Sequence, residues 1–240
     1  MDILGILLVL VGIVVSVLNV ILFCKIWKAC NNIQRITDKY ICADECANAD
    51  ANADANANAN ESVPSNTFIQ STVREYKEDE TYKIGDVVSK NGVVSVVFEV
   101  TDDGKHGKMV CAKELVCANW SSDANEQKRL IGTNNESGMS NMSVVKQIDN
   151  WQSKYPAFAL CADLGEGWYL PAKEELLSLN GNIRIINKSL QAIKAPKLNK
   201  WYWSSTEASE FCAWFVNMDG GGTDYYNKDL DGYVRAVSAF

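Results

Sequence analysis

Gly167-Trp168-Tyr169-Leu170-Pro171-Ala172-Lys173-Glu174-Glu175-Leu176 is the stretch from which the fold class follows. Pro171 suits the first turn of a helix, where its missing N–H costs nothing and its fixed φ is already helical. Glu174 and Glu175 then lie near the positive end of the helix, and Asn180-Gly181 closes it. Working outward, Val144, Val145, Ile148 and Trp151 mark an amphipathic helix that ends at Tyr155-Pro156, and Ile183 to Ile193 reads as a third. Further out the pattern changes period. Tyr82–Ser89 and Val93–Val100 are β-rich runs joined by Lys90-Asn91-Gly92, a hairpin signal because Asn-Gly tolerates positive φ. Lys108–Ala112 returns as a third strand after Asp102-Asp103-Gly104, and Trp120–Asn141 is a long polar stretch. Trp201–Phe240 is short strands and Gly/Asp turns. Strands, helices, then strands predict an α+β domain with helices packed on an antiparallel sheet, over residues 81–240.

The residues before this domain differ in kind. Ile3–Phe23 contains no charged residue and at about 1.5 Å per residue spans roughly 30 Å, so residues 1–24 are expected to form one transmembrane helix in the lipid bilayer. A cleaved signal peptide fits less well: Asp2 stands where a basic n-region belongs, and bulky Phe23 precedes Cys24. Lys25, Lys28, Arg35 and Lys39 all follow the span, so the positive-inside rule places the domain in the cytoplasm. An extracytoplasmic domain is the competing expectation, because the domain's own sequence suggests a surface role. Ile26, Cys30, Ile33 and Tyr40 recur at helical spacing, which extends the helix through residues 25–42 as an amphipathic stalk with a face for self-association. Ala43–Asn60 repeats Ala-Asn and Ala-Asp, and with the polar run to Glu80 it reads as a flexible tether over residues 43–80.

Composition excludes several function classes. The chain has 23 Lys and Arg against 30 Asp and Glu, a net charge of −7, without the clustered basic surface that nucleic acid requires. Seven Trp among its 240 residues argue for a packed core. The eight Cys include no CxxC, and Cys111 and Cys212 fall in apolar strand-like runs, so reduced structural thiols are expected. His106, the single histidine, sits in a Gly-Lys-His-Gly turn and reads as a solvated loop residue, not a general base. No Gly-x-Ser-x-Gly elbow occurs, and the Gly-flanked loop Gly132–Gly138 lacks the Gly-Lys-Ser/Thr of a phosphate loop. Asn227-Lys228-Asp229-Leu230-Asp231-Gly232 imitates the start of a calcium loop, but Ser238 stands where the bidentate Glu is needed. The expectation is no enzyme, no metal and no cofactor.

The opening stretch also resembles the Gly-x-Tyr-Leu-Pro-x-x-x-Glu-Leu segment of the Lcl C-terminal domain family, a bacterial domain of unknown function. Asp103–Gly107, Tyr202-Trp203-Ser204-Ser205-Thr206-Glu207, Ala213-Trp214 and Lys228 followed by Tyr233-Val234-Arg235-Ala236-Val237 fit in order. The resemblance implies a C-type-lectin-like fold in a bacterial or phage-encoded protein, and more distantly a likeness to formylglycine-generating enzymes. Those enzymes use paired cysteines near the C terminus, whereas only Cys212 lies there. One subset of the fold comprises variable proteins of diversity-generating retroelements, whose C-terminal segment is rewritten to present new binding residues. Between Trp203-Ser204-Ser205-Thr206 and Val234–Val237 lies a comparable segment, rich in aromatic and small polar residues that give contact area at low entropic cost. The expected function is a membrane-anchored module binding a protein or carbohydrate through Glu207, Ser209, Glu210, Phe211, Phe215, Asn217, Asp219, Asp224, Tyr225, Tyr226 and Asp229. Trp168, Trp201, Trp203, Trp214 and Arg235 are expected to be framework.

Overall fold

The computed structural model describes residues 73–240. The expected membrane span, the juxtamembrane helix and the tether before Val73 lie outside the described residues. Among the described residues no helix is long and apolar enough to cross a membrane.

The domain is mixed α+β. It opens with β1 (Arg74–Glu75), β2 (Val87–Lys90), β3 (Val93–Val100), β4 (Gly107–Cys111) and β5 (Leu115–Asn119). A 3-10 turn at Glu126–Lys128 precedes helices α1 (Gly138–Val145), α2 (Trp151–Lys154) and α3 (Pro156–Ala162). Strand β6 (Trp168–Tyr169) leads into α4 (Lys173–Gly181) and α5 (Ile183–Ala192). The chain ends with β7 (Trp201–Glu207), β8 (Cys212–Asn217), β9 (Thr223–Asn227), β10 (Asp231–Val234) and β11 (Val237–Ala239).

Two sheets form where one was expected. One has the order β1-β2-β3-β4-β11-β6, the other β5-β10-β7-β8-β9. The reason lies in the last ten residues. Strand β10 pairs with β5 and touches β7, while β11, only Arg235-Ala236 further on, pairs with β4 and β6. Strands from the two ends of the domain therefore close it together.

The β2–β3 hairpin forms as its turn chemistry dictates: Asn91 and Gly92 have φ of 53° and 79°, both left-handed. Val96, Val97 and Phe98 of β3 are completely buried, and each large apolar side chain so buried contributes roughly 1.5–3 kcal/mol. Trp120, Tyr155 and Phe158 meet edge-to-face with ring centroids 5.1–5.9 Å apart, tying the start of the polar stretch to α3.

The helices depart from expectation in one place. The single helix expected from Val144 to Tyr155 is divided between the end of α1 and α2, with Asn150 at φ 57° in the gap, where the chain leaves the right-handed helical region. Pro156 then starts α3 instead of only ending its predecessor. Helix α1 begins earlier, capped by Ser137, whose Oγ accepts the Ser140 N–H at 3.1 Å.

The compact part also begins before the boundary placed at residue 81. Arg74 pairs with Asp86 at 2.6 Å, Glu75 pairs with Ser89 on β2, and Tyr76 stacks on Tyr82 with its edge to Phe240. Apolar contact area from Tyr76, which the polar composition around it masks, accounts for this.

Candidate functional site

The site is a rigid frame carrying an exposed hairpin. Its first anchor is Glu175 in the first turn of α4, only 2% exposed. Its carboxylate accepts the N–H groups of Ala172 (2.8 Å) and Gly138 (3.0 Å) and the Tyr169 hydroxyl (3.0 Å), and Lys108 lies 3.4 Å away. One side chain thereby joins the starts of α1 and α4 to β6 and β4. Burial, and the Glu175 carboxylate beside it, hold the Tyr169 phenol well above its ordinary pKa.

The second anchor is the ion pair of Lys228 and Glu207, whose side chains are 0% and 3% exposed. Lys228 Nζ donates to Glu207 Oε1 at 2.6 Å and to the Arg129 carbonyl at 2.9 Å, and lies 4.7 Å from the centre of the Trp120 ring. The Glu207 carboxylate accepts the backbone N–H groups of Ile131, Gly132 and Thr133 at 3.0–3.4 Å. Successive N–H groups converging on one anion make a backbone nest, and here the protein fills it with its own carboxylate. The Lys228 backbone completes the lock, donating to Phe211 O and accepting from Ser121 N. Three loops are thus pinned at one end of the second sheet.

On this frame the eleven expected contact residues separate. Ser209, Glu210, Phe211, Asp219, Asp224, Tyr225 and Asp229 are exposed, with Phe211 at 51% and Tyr225 at 57%. Asn217 and Tyr226 are half-buried; Asn217 Oδ1 accepts the Asp219 N–H, and Tyr226 packs 5.2 Å from Phe215. Two expectations are corrected. Glu207 is the internal anchor just described. Phe215 is 6% exposed, its ring centre 3.8 Å from that of Trp203, because it shares with Ala213 the face of β8 that turns inward. Among the expected framework residues Trp168, Trp203 and Arg235 are buried, but Trp201 is 37% exposed at the start of β7. Trp214 is half-buried between Lys173 Nζ, 3.6 Å from its ring centre, and the edge of Tyr225.

Gly232 shows how tightly the hairpin is seated. A Cβ there would strike the Phe215 ring and the Trp203 indole nitrogen. Gly232→Ala is expected to cost about 1–3 kcal/mol by overpacking, read as a lower midpoint in urea with unchanged slope.

Chemistry at this site is sparse. Cys212 is half-buried, its thiol 3.4 Å from Asn227 Oδ1; burial pushes its pKa up, against the opposing effects of Ser209 and Lys228. That is the wrong direction for a nucleophile. His106 is exposed in its turn. Among the described residues no group of three or more His, Cys, Asp or Glu could hold a metal, and Ser238, which the calcium pattern would need, is buried in β11 beside Lys90. The four described cysteines are free.

The Gly-flanked loop from Gly132 was expected at the surface, but its anchoring to Glu207 and the exposed Leu130 (56%) before it were not. The available signals were Gly132, with φ 84°, and Lys228, an isolated cation in an acidic segment.

A mixed α+β domain whose buried polar anchors tie sheet, helices and loops, and whose outer hairpin is exposed, defines a scaffold-and-surface protein class. The Lcl C-terminal domain matches residues 117–238, just over half of the chain, and the chain belongs to that family. Among solved structures, the chain is similar to a fimbrial protein from Bacteroides ovatus ATCC 8483, with 17% identity over 56% of this chain and a TM-score of 0.45. That alignment spans 36% of the fimbrial protein. No curated protein matches the chain.

Proposed function

We propose that residues 73–240 form a C-type-lectin-like binding module, tethered to a membrane through Ile3–Phe23, that recognises a protein or carbohydrate without transforming it. The observation that carries this reading is the exposure of two large aromatic side chains, Phe211 and Tyr225, on a frame locked by buried ion pairs and hydrogen bonds. Aromatic anchors on a pre-organised surface concentrate binding energy, because little side-chain freedom is lost on contact. Ser209, Glu210, Asp219, Asp224 and Asp229 supply the polar rim. The raised pKa of Cys212 weighs against the formylglycine-type alternative.

The test uses photocrosslinking in cells that produce the full chain. A benzoylphenylalanine placed at Tyr225 or Phe211 is expected to capture a discrete adduct. The same group at Val116, 60% exposed on the opposite edge of that sheet, is expected to capture none. Equal labelling at all three positions would refute the assignment. Protease accessibility in intact against opened cells decides between a cytoplasmic domain, expected from the flanking charge, and an extracytoplasmic one.

A second reading, diversified display, is favoured by the separation of roles along the chain. Buried Trp203–Thr206 and Tyr233–Ser238 bracket the segment that carries the exposed Ser209, Glu210, Phe211, Asp219, Asp224 and Tyr225. It requires a near-copy of the C-terminal coding segment, differing at adenines, beside a reverse transcriptase gene. Genomic sequence lacking both rejects it.

A further inference from the structure

Away from the β8–β9 hairpin, the end of α5, the β2–β3 turn and the end of β4 enclose a depression of about 510 Å³. That volume lies in the range of small-molecule sites. Val94, Ala112, Leu164 and Ile193 form apolar walls, and among the described residues the charged ones in the lining are Lys113 and Lys194, both exposed. Among the described residues no carboxylate lines it. Lys194 holds its place at a backbone cost: its φ is 59°, in the left-handed region, where it closes α5 as the Ala195 N–H reaches back to Leu190 O.

A third cation stands behind the wall. Arg235 is 1% exposed and donates to the carbonyl of Pro196, a wall residue, at 3.0 Å, while its Nε and second terminal nitrogen have no partner. The guanidinium is incompletely hydrogen-bonded in a low-dielectric interior, and although Glu114 offsets part of its charge, Glu114 is itself paired with Lys200 at 3.6 Å, so Arg235 adds positive potential to the adjoining space. Apolar walls with cations at the rim and behind match a ligand with an apolar body and a single negative head.

We infer that this depression binds a small aliphatic carboxylate, its hydrocarbon against Val94, Ala112, Leu164 and Ile193 and its carboxylate between Lys113 and Lys194. The site is separate from the hairpin surface and stands or falls independently of it.

The test is calorimetric titration of the full chain in lipid nanodiscs with octanoate, octan-1-ol and octylamine, with empty nanodiscs as the blank. The three share a chain and differ in head charge. Octanoate is expected to bind one to one, octan-1-ol at least about tenfold more weakly, and octylamine not at all. Lys113→Glu/Lys194→Glu is expected to weaken octanoate at least about tenfold with the melting temperature unchanged. Ala195→Trp, which fills the depression, is expected to abolish binding, and if it misfolds the lysine variant decides. Octanoate that fails to bind, that binds no better than octan-1-ol or octylamine, or that ignores the lysine reversals overturns the inference.

Discussion

Lys228→Met is expected to lower stability by about 3–5 kcal/mol, because it leaves the buried Glu207 carboxylate without its counter-charge. For a domain of this size that is a fall in melting temperature of roughly 6–20 °C. The Arg129 carbonyl loses its donor as well, and the loop that carries Leu130 loosens with it. Lys228→Met/Glu207→Gln is expected to recover part of the loss. The Gln carbonyl still accepts N–H groups from the 131–133 nest, and no charge remains buried. A thermal-melt cycle over the four proteins gives the coupling, expected at about 1–3 kcal/mol. A Lys228→Met protein that melts within a degree of the parent would show that the pair is solvated.

The same pair makes a pH prediction. Burial pulls the Lys228 ammonium below its ordinary pKa, and Glu207 opposes that pull. The unfolded chain therefore binds the proton more tightly than the folded one. Stability rises with pH between the folded value and 10.5, and below that window the charged, buried form is the less favourable one. The parent should gain on Lys228→Met as pH rises through this window.

Glu175→Ala is expected to cost a similar 3–5 kcal/mol. It strips acceptors from two helix starts and from a buried phenol at once, each worth about 1–3 kcal/mol when left unpaired inside. Glu175→Gln keeps one carbonyl oxygen for the Ala172 and Gly138 N–H groups, but its NH2 takes the place of the oxygen that faces the Tyr169 hydroxyl and Lys108, so a smaller loss than for Ala, about 1–3 kcal/mol, is expected. Urea denaturation of both variants checks the ordering. Equal losses would mean that the charge, not the acceptor geometry, holds α1 and α4 in place.

Both anchors were visible as residues and invisible as anchors. Glu175 follows Pro171 at helix-start spacing, and local rules place it near the positive end of α4. Its bond to Gly138, thirty-seven residues away, obeys no local rule. Glu207 stood in the sequence as one more polar residue at the edge of an aromatic segment. Its nest lies more than seventy residues upstream. The exposed Phe211 and Tyr225 were legible because a strand-turn segment rich in aromatics and acids must show some of them to water. Phe215 was not, because alternation fixes two faces of a strand but not which one meets the core.

Sequence by itself determined the α+β class, the Asn-Gly hairpin and the family, since each depends on short-range sterics or contiguous motifs; it also announced α4, although the helix starts at Lys173, after the N-cap Ala172, and Pro171 stays outside its first turn. It also supports the expectation of a membrane span, through unbroken apolar length. Only the tertiary structure decided that the final ten residues divide between two sheets, that Lys228 and Glu207 close a loop, and that Arg235 backs an apolar depression. Those outcomes depend on which distant segments share the interior, where a charge costs so much that its partner must be brought from anywhere in the chain.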